Sequence, residues 1–332
     1  MEIAGRYTPA NARGCLAPDG TPDVVQIRDV PVPEPRKDDV LVAVHSSTVN
    51  RTDCHYRSGR PLLMHAVAGW LRPKSTILGT EYAGVVEDLG PDAQGFKRGD
   101  RVFGWIEGRF GAHAEYLTAQ ATGAIALVPN DHGLSEAAPM TEGAHYALNS
   151  LRKLEIASGK SLLVYGATGS IGSAAVQLAK AMGATVTAVG PTAHVGVMQK
   201  LGSDHVVDYE TEDVTARPHR YDAILDAWGH ADYFSLRRLL RPSGFYVSTG
   251  SGGHKENLVL AFAAPLMRHR QVRFAYPHID QAMVEGFAAH RCMGPPETRE
   301  RPSSWTNWSG PSARTALREL CLPAILQVNA RL

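Results

Sequence analysis

Cysteine is scarce. The chain has four in 332 residues (Cys15, Cys54, Cys292 and Cys321), with no Cys-x-x-Cys pair among them. That excludes a disulfide framework and a cysteine-rich metal knuckle, and predicts reduced thiols in a cytoplasmic protein. Long apolar runs are missing too. The longest, Leu62–Leu71, contains His65 and Gly69 and is too short to span a bilayer. The first residues, Met1-Glu-Ile-Ala-Gly-Arg, lack the charged-then-apolar order of a secretory signal. Neither sign of charge dominates: 34 basic against 33 acidic residues give a net +1, mixed along the chain. No basic stripe suits nucleic acid and no polybasic run suits an acidic membrane surface. The fourteen histidines include no pair at convincing metal-ligand spacing, so no metal site is expected.

What is present is enough apolar residue (44%, against 20% charged) for a sizeable core, in a length that suits about two domains. From about residue 13 to 130 the pattern is mostly β. Val40–His45, Tyr82–Gly90, Asp100–Gly104 and Gly111–Leu117 read as strands between glycine turns, suggesting a compact barrel-like domain. After Pro129 the rhythm changes. Ser135 reads as a helix cap with Glu136 behind it, and Ala137–Leu154 as largely helical. Strands at 161–166, 185–189, 205–209, 221–226, 244–249 and 271–276 then alternate with helices at 170–182, 193–201 and 231–240. Such alternation predicts an α/β domain with a parallel sheet covered on both faces. The expected division is 1–132, 133–287 and an atypical tail at 288–332, with residues 1–12 an extension before a first strand at Arg13–Ala17. From Arg291 to Leu332 there are six arginines, five prolines, two of the five tryptophans and no lysine, with little periodicity, so this tail is expected to be poorly packed.

The most informative segment is Ser161–Gly172. An apolar run ends in Gly166, Gly169 and Gly172, three residues apart, and a helical pattern (Ile171, Ala174, Ala175, Leu178, Ala179, Met182) starts at once. Strand, tight turn and helix in that order bring backbone close to a bulky anion and aim helix N–H groups at it. Dinucleotide binding by Gly166, Ala167, Thr168, Gly169, Ser170, Ile171 and Gly172 is the expectation; a glycine turn serving only helix–strand packing is the alternative.

The ordered marks Gly20-Thr-Pro-Asp-Val-Val, Val49–Asp53, Leu78–Gly84, Gly111–Tyr116, Glu142–Leu148, Tyr165–Gly172 and Asp208-Tyr209 together resemble the medium-chain dehydrogenase/reductase superfamily, most closely its zinc-independent, quinone-oxidoreductase-like branch. The resemblance covers about residues 20–287. It implies a GroES-like catalytic domain, a Rossmann domain, an active cleft between them and commonly a homodimer. Where zinc-dependent relatives hold a catalytic metal, this chain matches with Asn50, Thr80 and Glu81, a poor donor set for zinc. Without a Lewis acid, an enone or quinone is the easier hydride acceptor, because the negative charge is delocalised.

On the resemblance, Asn50 and Asp53 fall in the cleft, His55 and Tyr56 are candidates for proton source or oxyanion contact, and Tyr146 lies near the nicotinamide. For each, a purely structural role is the alternative. The second Rossmann strand ends at Gly190 and Pro191 rather than an acid, so NADPH is expected over NADH, with Thr192, His194, Lys200 and Tyr209 about its 2′-phosphate. Trp228, Gly250 and Ser251 would line the nicotinamide half. The apolar insert Leu62–Leu71 reads as a lid for a small hydrophobic carbonyl or quinone, or as a helix packed on its own domain. Relatives end with a strand of the type Gly-Lys-x-Val-Val that returns to the first domain; nothing after Ala288 resembles it, and the tail looks like a shifted reading frame. Two other readings stay open: a zinc-free alcohol or ketone reductase, and a catalytically idle nucleotide-binding or regulatory protein.

Overall fold

The computed structural model describes residues 10–14, 25–58, 77–106, 110–250, 260, 272–275 and 278–290, with backbone alone at 10–14, 25–29, 57–58 and 290. The insert 62–71, Ser251 and the tail from 291 lie outside the described residues. The chain forms two compact units. Among the described residues, one runs to Thr141 and takes in 279–290; the other runs from Glu142 to His278.

The first unit is antiparallel. β1 (Ala10–Gly14) pairs with β2 (Val25–Asp29). A five-stranded sheet is built from β3 (Asp39–Ser47), β4 (Glu81–Leu89), β5 (Arg101–Trp105), β6 (Tyr116–Gln120) and β7 (Ile125–Leu127), in the order β6-β3-β4-β5-β7. Branched residues on β3 and β4 put Val42, Val44 and Val86 into one core with Tyr82, Val102 and Ile125. Each large side chain fully buried there contributes about 1.5–3 kcal/mol. Register shifts interrupt the β3–β4 ladder between Leu41 and Val42 and between Val44 and Ser46. Gly84 sits at this irregular crossing, where a Cβ would fall 2.1 Å from the Ala43 carbonyl oxygen.

Several boundaries depart from the pattern reading. Residues 111–115 are a loop rather than strand: Gly111 and His113 donate their amides to the Leu78 carbonyl, and Gly111 and Ala112 to that of Gly79. Ser135 is not a cap. It lies inside the short helix α2 (Leu134–Ala137), whose N-cap is Gly133, and Glu136 accepts the Gly133 amide at 3.0 Å. The expected helix 137–154 is broken, because Pro139 lies in a 3₁₀ turn and the Thr141 amide turns to a side chain instead of the helix ladder. Helix α3 (Glu142–Lys153) starts afresh. The 132/133 boundary moves accordingly: Ser135 Oγ bonds Ser46 Oγ at 3.1 Å, and Thr141 bonds Glu81, which ties 134–141 to the first unit.

The second unit is a parallel sheet of β8 (Ser161–Tyr165), β9 (Thr185–Gly190), β10 (His205–Asp208), β11 (Tyr221–Asp226) and β12 (Leu240–Ser248), in the order β10-β9-β8-β11-β12. Helices α4 (Ser170–Ala181) and α5 (Val195–Lys200) separate the first three strands. Strand order reverses direction between β8 and β11, the switch point at which open α/β sheets bind ligands. The helix expected at 231–240 is one turn, α6 (Tyr233–Leu236), capped by Asp232 and followed by a 3₁₀ turn. β12 begins at Leu240, directly after that turn, and Pro242 lies within the strand. Of the strand expected at 271–276, the described residues keep one parallel bridge, Tyr246 to Val272. The last helix, α7 (Gln281–His290), packs beside β7 in the first unit. No helix among the described residues is long and apolar enough to cross a membrane.

Candidate functional site

In the second unit the glycine loop follows β8. Gly166 has φ of +80°, a conformation glycine adopts without a Cβ penalty. A Cβ there would fall 2.9 Å from both the amide nitrogen and Cβ of Trp228, so the loop after β11 presses on this turn. The amides of Gly166 and Ala167 both donate to the Val189 carbonyl, which fixes the loop to β9. Gly169 caps α4 in extended conformation, and the first intrahelical bond is Ser173 N to Gly169 O. The amides of Ile171 and Gly172 precede that bond and point out of the helix end, beside its positive dipole. At Gly172 a Cβ would fall 2.1 Å from the Gly166 carbonyl oxygen, so helix and loop touch with no room for a side chain. Backbone amides, helix end and absent side chains suit the pyrophosphate of a dinucleotide.

Asp226, unremarked in the sequence, organises the neighbouring loop. Its buried carboxylate accepts from Gly229 N (2.8 Å), Ala231 N (3.2 Å), Ser248 Oγ (2.8 Å) and the Tyr246 hydroxyl (3.3 Å). Burial pushes its pKa up, and these four donors pull against that shift. The loop carries Trp228, 44% exposed, whose ring lies 6.3 Å from that of Tyr165. Gly229 and Gly250 meet closely, a Cβ on Gly250 falling 2.3 Å from the Gly229 carbonyl oxygen. A polar residue closing an apolar strand was the available signal for Asp226.

Beyond β9 the residues expected around a 2′-phosphate do not converge as cations. Thr192 Oγ1 donates to Asp208 Oδ2 at 2.6 Å, and Tyr209 is nearly half exposed. His194 caps α5, whereas Lys200 is exposed in its final turn, at the opposite end of the helix. A cavity of about 400 Å³ is ringed by Tyr165, Tyr209 and the run Glu210–Asp213. Tyr146, on α3, is half-buried with its ring 4.5 Å from that of His145.

The first unit holds a polar cluster made from side chains. Asn50 precedes helix α1 (Arg51–Ser58) and forms a reciprocal capping box: Asp53 N donates to Asn50 Oδ1 at 2.9 Å, and Asn50 N to Asp53 Oδ2 at 3.0 Å. The other Asp53 oxygen accepts from Gly79 N at 3.0 Å. Burial raises the Asp53 pKa, opposed by His113 and by the amides of Asn50 and Gly79. His113 Nε2 donates to the Thr48 carbonyl at 2.7 Å and lies 3.9 Å from Asp53. Asn50 Nδ2 donates to Thr80 Oγ1 at 2.8 Å, so the two positions matched to zinc ligands bond each other. Glu81 is buried, with Oε2 accepting from Thr48 Oγ1 (2.6 Å) and Oε1 from the Thr141 amide (3.1 Å) and hydroxyl (2.8 Å). An amide, a hydroxyl and a carboxylate bonded on both oxygens do not fit zinc. Among the described residues no three His, Cys, Asp or Glu side chains group as a metal site.

Tyr56 is buried. Only 3% exposed, it packs its ring against Phe110 at 4.0 Å between centroids. His55 is exposed on α1, turned well away from the buried stripe of Asp53 and Tyr56 by the helical period. Thr48, His113 and Thr141 were not found from the sequence, since only tertiary contact joins them to Asp53 and Glu81.

Residues 36–130 match the family model of the alcohol dehydrogenase GroES-like domain, and residues 170–277 that of zinc-binding dehydrogenase. The chain is similar to the chloroplastic NADPH-dependent alkenal/one oxidoreductase of Arabidopsis thaliana, 33% identical over 255 residues (70% of this chain, 64% of that protein). It is equally similar to the quinone oxidoreductase of Sus scrofa, 33% identical over 249 residues (70% and 71%). It spans less than two-thirds of the length of the first curated relatives it matches. The solved quinone oxidoreductase of Coxiella burnetii shares the fold, with a TM-score of 0.80 at 23% identity over 98% of this chain and 99% of that one. With its GroES-like unit, its Rossmann unit and these relatives, the chain belongs to the medium-chain dehydrogenase/reductase family, in the quinone-oxidoreductase-like branch.

Proposed function

We propose that this chain is a zinc-free, nicotinamide-dinucleotide-dependent reductase of quinones or α,β-unsaturated carbonyls. The observation that carries the reading is the bond between Asn50 and Thr80, which gives the positions matched to metal ligands a neutral polar pair. The names of the Arabidopsis and Sus scrofa relatives support the substrate class and, in the first case, a nicotinamide cofactor. When bound, the dinucleotide supplies the hydride.

The chain's residues bind, orient and exclude water. Amides at the start of α4 hold the pyrophosphate, while Asp226 fixes the loop of Trp228 and Gly229 and limits how the nicotinamide half settles. Asn50, held by Asp53 and Thr80, meets the substrate oxygen and stabilises the charge that builds there. Such a donor is sufficient where the charge spreads over a conjugated system; it is a weak substitute for a metal at an isolated carbonyl. The proton comes from water, because Tyr56 is in the core and His55 faces outward. Replacing His55 by Ala is therefore expected to leave reduction rates within about twofold.

The test follows reduced-nicotinamide absorbance with a quinone, an enone and a plain aldehyde as acceptors. Turnover with the first two supports the proposal. Turnover with the aldehyde alone would overturn it in favour of an alcohol or ketone reductase, and cofactor binding without turnover in favour of an idle nucleotide-binding protein.

A further inference from the structure

We infer that the adenosine end of the bound dinucleotide meets carboxylates rather than cations, and that Asp208 and Glu210 make the chain prefer NADH to NADPH. The inference rests on the dinucleotide reading above, which stands on the glycine cradle and not on these acids, and it reverses the NADPH expectation drawn from the sequence.

In this fold the adenosine ribose lies at the end of the second strand, where an NAD enzyme commonly offers an acid to its hydroxyls. Here that position is Gly190, which offers no side chain; a Cβ there would fall 2.8 Å from Met198 Sδ and 3.0 Å from Thr168 Cγ2. The acid comes instead from the next strand. Asp208 ends β10 directly beside Gly190 in the parallel ladder. Its Oδ2 accepts from Thr192 Oγ1 at 2.6 Å and its Oδ1 from Glu210 N at 3.0 Å. Glu210 reaches the same turn, with Oε2 3.4 Å from the Thr192 amide. The hydroxyl of Thr192 and the other donors hold the Asp208 carboxyl below its ordinary range, so it is ionised at neutral pH.

Thr192, which the sequence offered as a phosphate ligand, thus already serves two carboxylates. Among the described residues, the basic groups nearby are engaged with other acids or distant. Arg217 is paired with Glu212 at 2.6 Å, Arg238 lies near enough to Asp213 to lower its pKa, and Lys200 is at the far end of α5. A ribose carrying a free 2′-hydroxyl can donate to Asp208, whereas a 2′-phosphate would bring a dianion against two carboxylates.

Affinities of NADH and NADPH for the full chain, measured by isothermal titration calorimetry at low salt, test this. NADH is expected to bind about tenfold tighter, with the gap narrowing as salt screens the carboxylates. Asp208→Asn and Glu210→Gln should each shrink the NADH-to-NADPH ratio, and the double variant should bring it near one. Thermal unfolding checks that each variant folds, and Glu210→Gln, an exposed change, reports on its own if Asp208→Asn does not. NADPH binding as tightly as NADH to the native chain, or a ratio that neither variant moves, overturns the inference while leaving dinucleotide binding intact. If neither nucleotide binds, the dinucleotide reading itself fails and this inference falls with it.

Discussion

The two units build their polar centres from different material. In the second unit the cradle at Gly166–Gly172 is backbone: amides, a helix end, and positions where a side chain cannot fit. In the first, side chains do the holding: Asn50 bonds Thr80, Asn50 and Asp53 accept each other's backbone amides, and Glu81 accepts from Thr48 and Thr141. A backbone site is spoiled by adding atoms; a side-chain site is spoiled by taking them away. Damage to the first should weaken nucleotide affinity, and damage to the second should slow reduction at unchanged affinity.

The largest effect is expected from Gly172→Ala. The added methyl carbon would lie 2.1 Å from a carbonyl oxygen that cannot move without opening the loop. A loss of about 2–4 kcal/mol in stability, with NADH binding weakened at least as much, should appear in chemical denaturation and nucleotide titration. An unchanged affinity in this variant would remove the cradle from the binding site. Asp226→Ala comes next. It leaves two buried amides and two hydroxyls without their acceptor, at a cost of about 2–3 kcal/mol. Looser nucleotide binding should accompany it.

Asp53→Ala removes one arm of the capping box and the acceptor for Gly79 N, and is expected to cost about 1 kcal/mol. It sharpens the contrast between the units: the rate of enone reduction should fall while the NADH dissociation constant stays within error. If the dissociation constant shifts and the rate does not, the division of labour is wrong.

The smallest effect concerns pH. Burial alone would raise the Asp222 carboxyl, but the Ser161 amide and hydroxyl and Arg241 hold it below the ordinary range. A folded-state pKa that is depressed gives stability present above about pH 4, the unfolded value, and lost as pH falls through the folded value. The stability gap between native chain and Asp222→Asn, measured by urea titration, should therefore close as pH is lowered through that window. Asp53 has the opposite sign: raised by burial, its carboxyl favours the folded state most when protonated, so acid relieves a strain in the first unit.

The same contrast explains what was legible in the sequence. Glycines three residues apart between an apolar run and a helical one encode backbone geometry directly, and the strands ending at Tyr165 and Asp226 fall where the pattern put them. Partners chosen in three dimensions leave no spacing to read, which is why Thr48, His113 and Thr141 were missed around Glu81 and Asp53. Local errors have local causes. A Ser-Glu pair at 135–136 imitates a cap although the working spacing is Gly133 to Glu136, and Pro139 interrupts a helix that the apolar period would have continued. Gly190 shows another limit. It offers no acid, and the sequence alone does not reveal that the neighbouring strand brings a carboxylate to the same turn.

The bonds of Glu81 bear on how the first unit is held together. Two threonines from distant stretches bond its two carboxylate oxygens: Thr48, two residues before Asn50, and Thr141, just before α3 begins. Placing a thiolate at position 50 and an imidazole at position 80 would set metal donors beside a carboxylate that already serves as a tie. Drawing that carboxylate toward a metal would pull on both threonines, and so on the two stretches that they join.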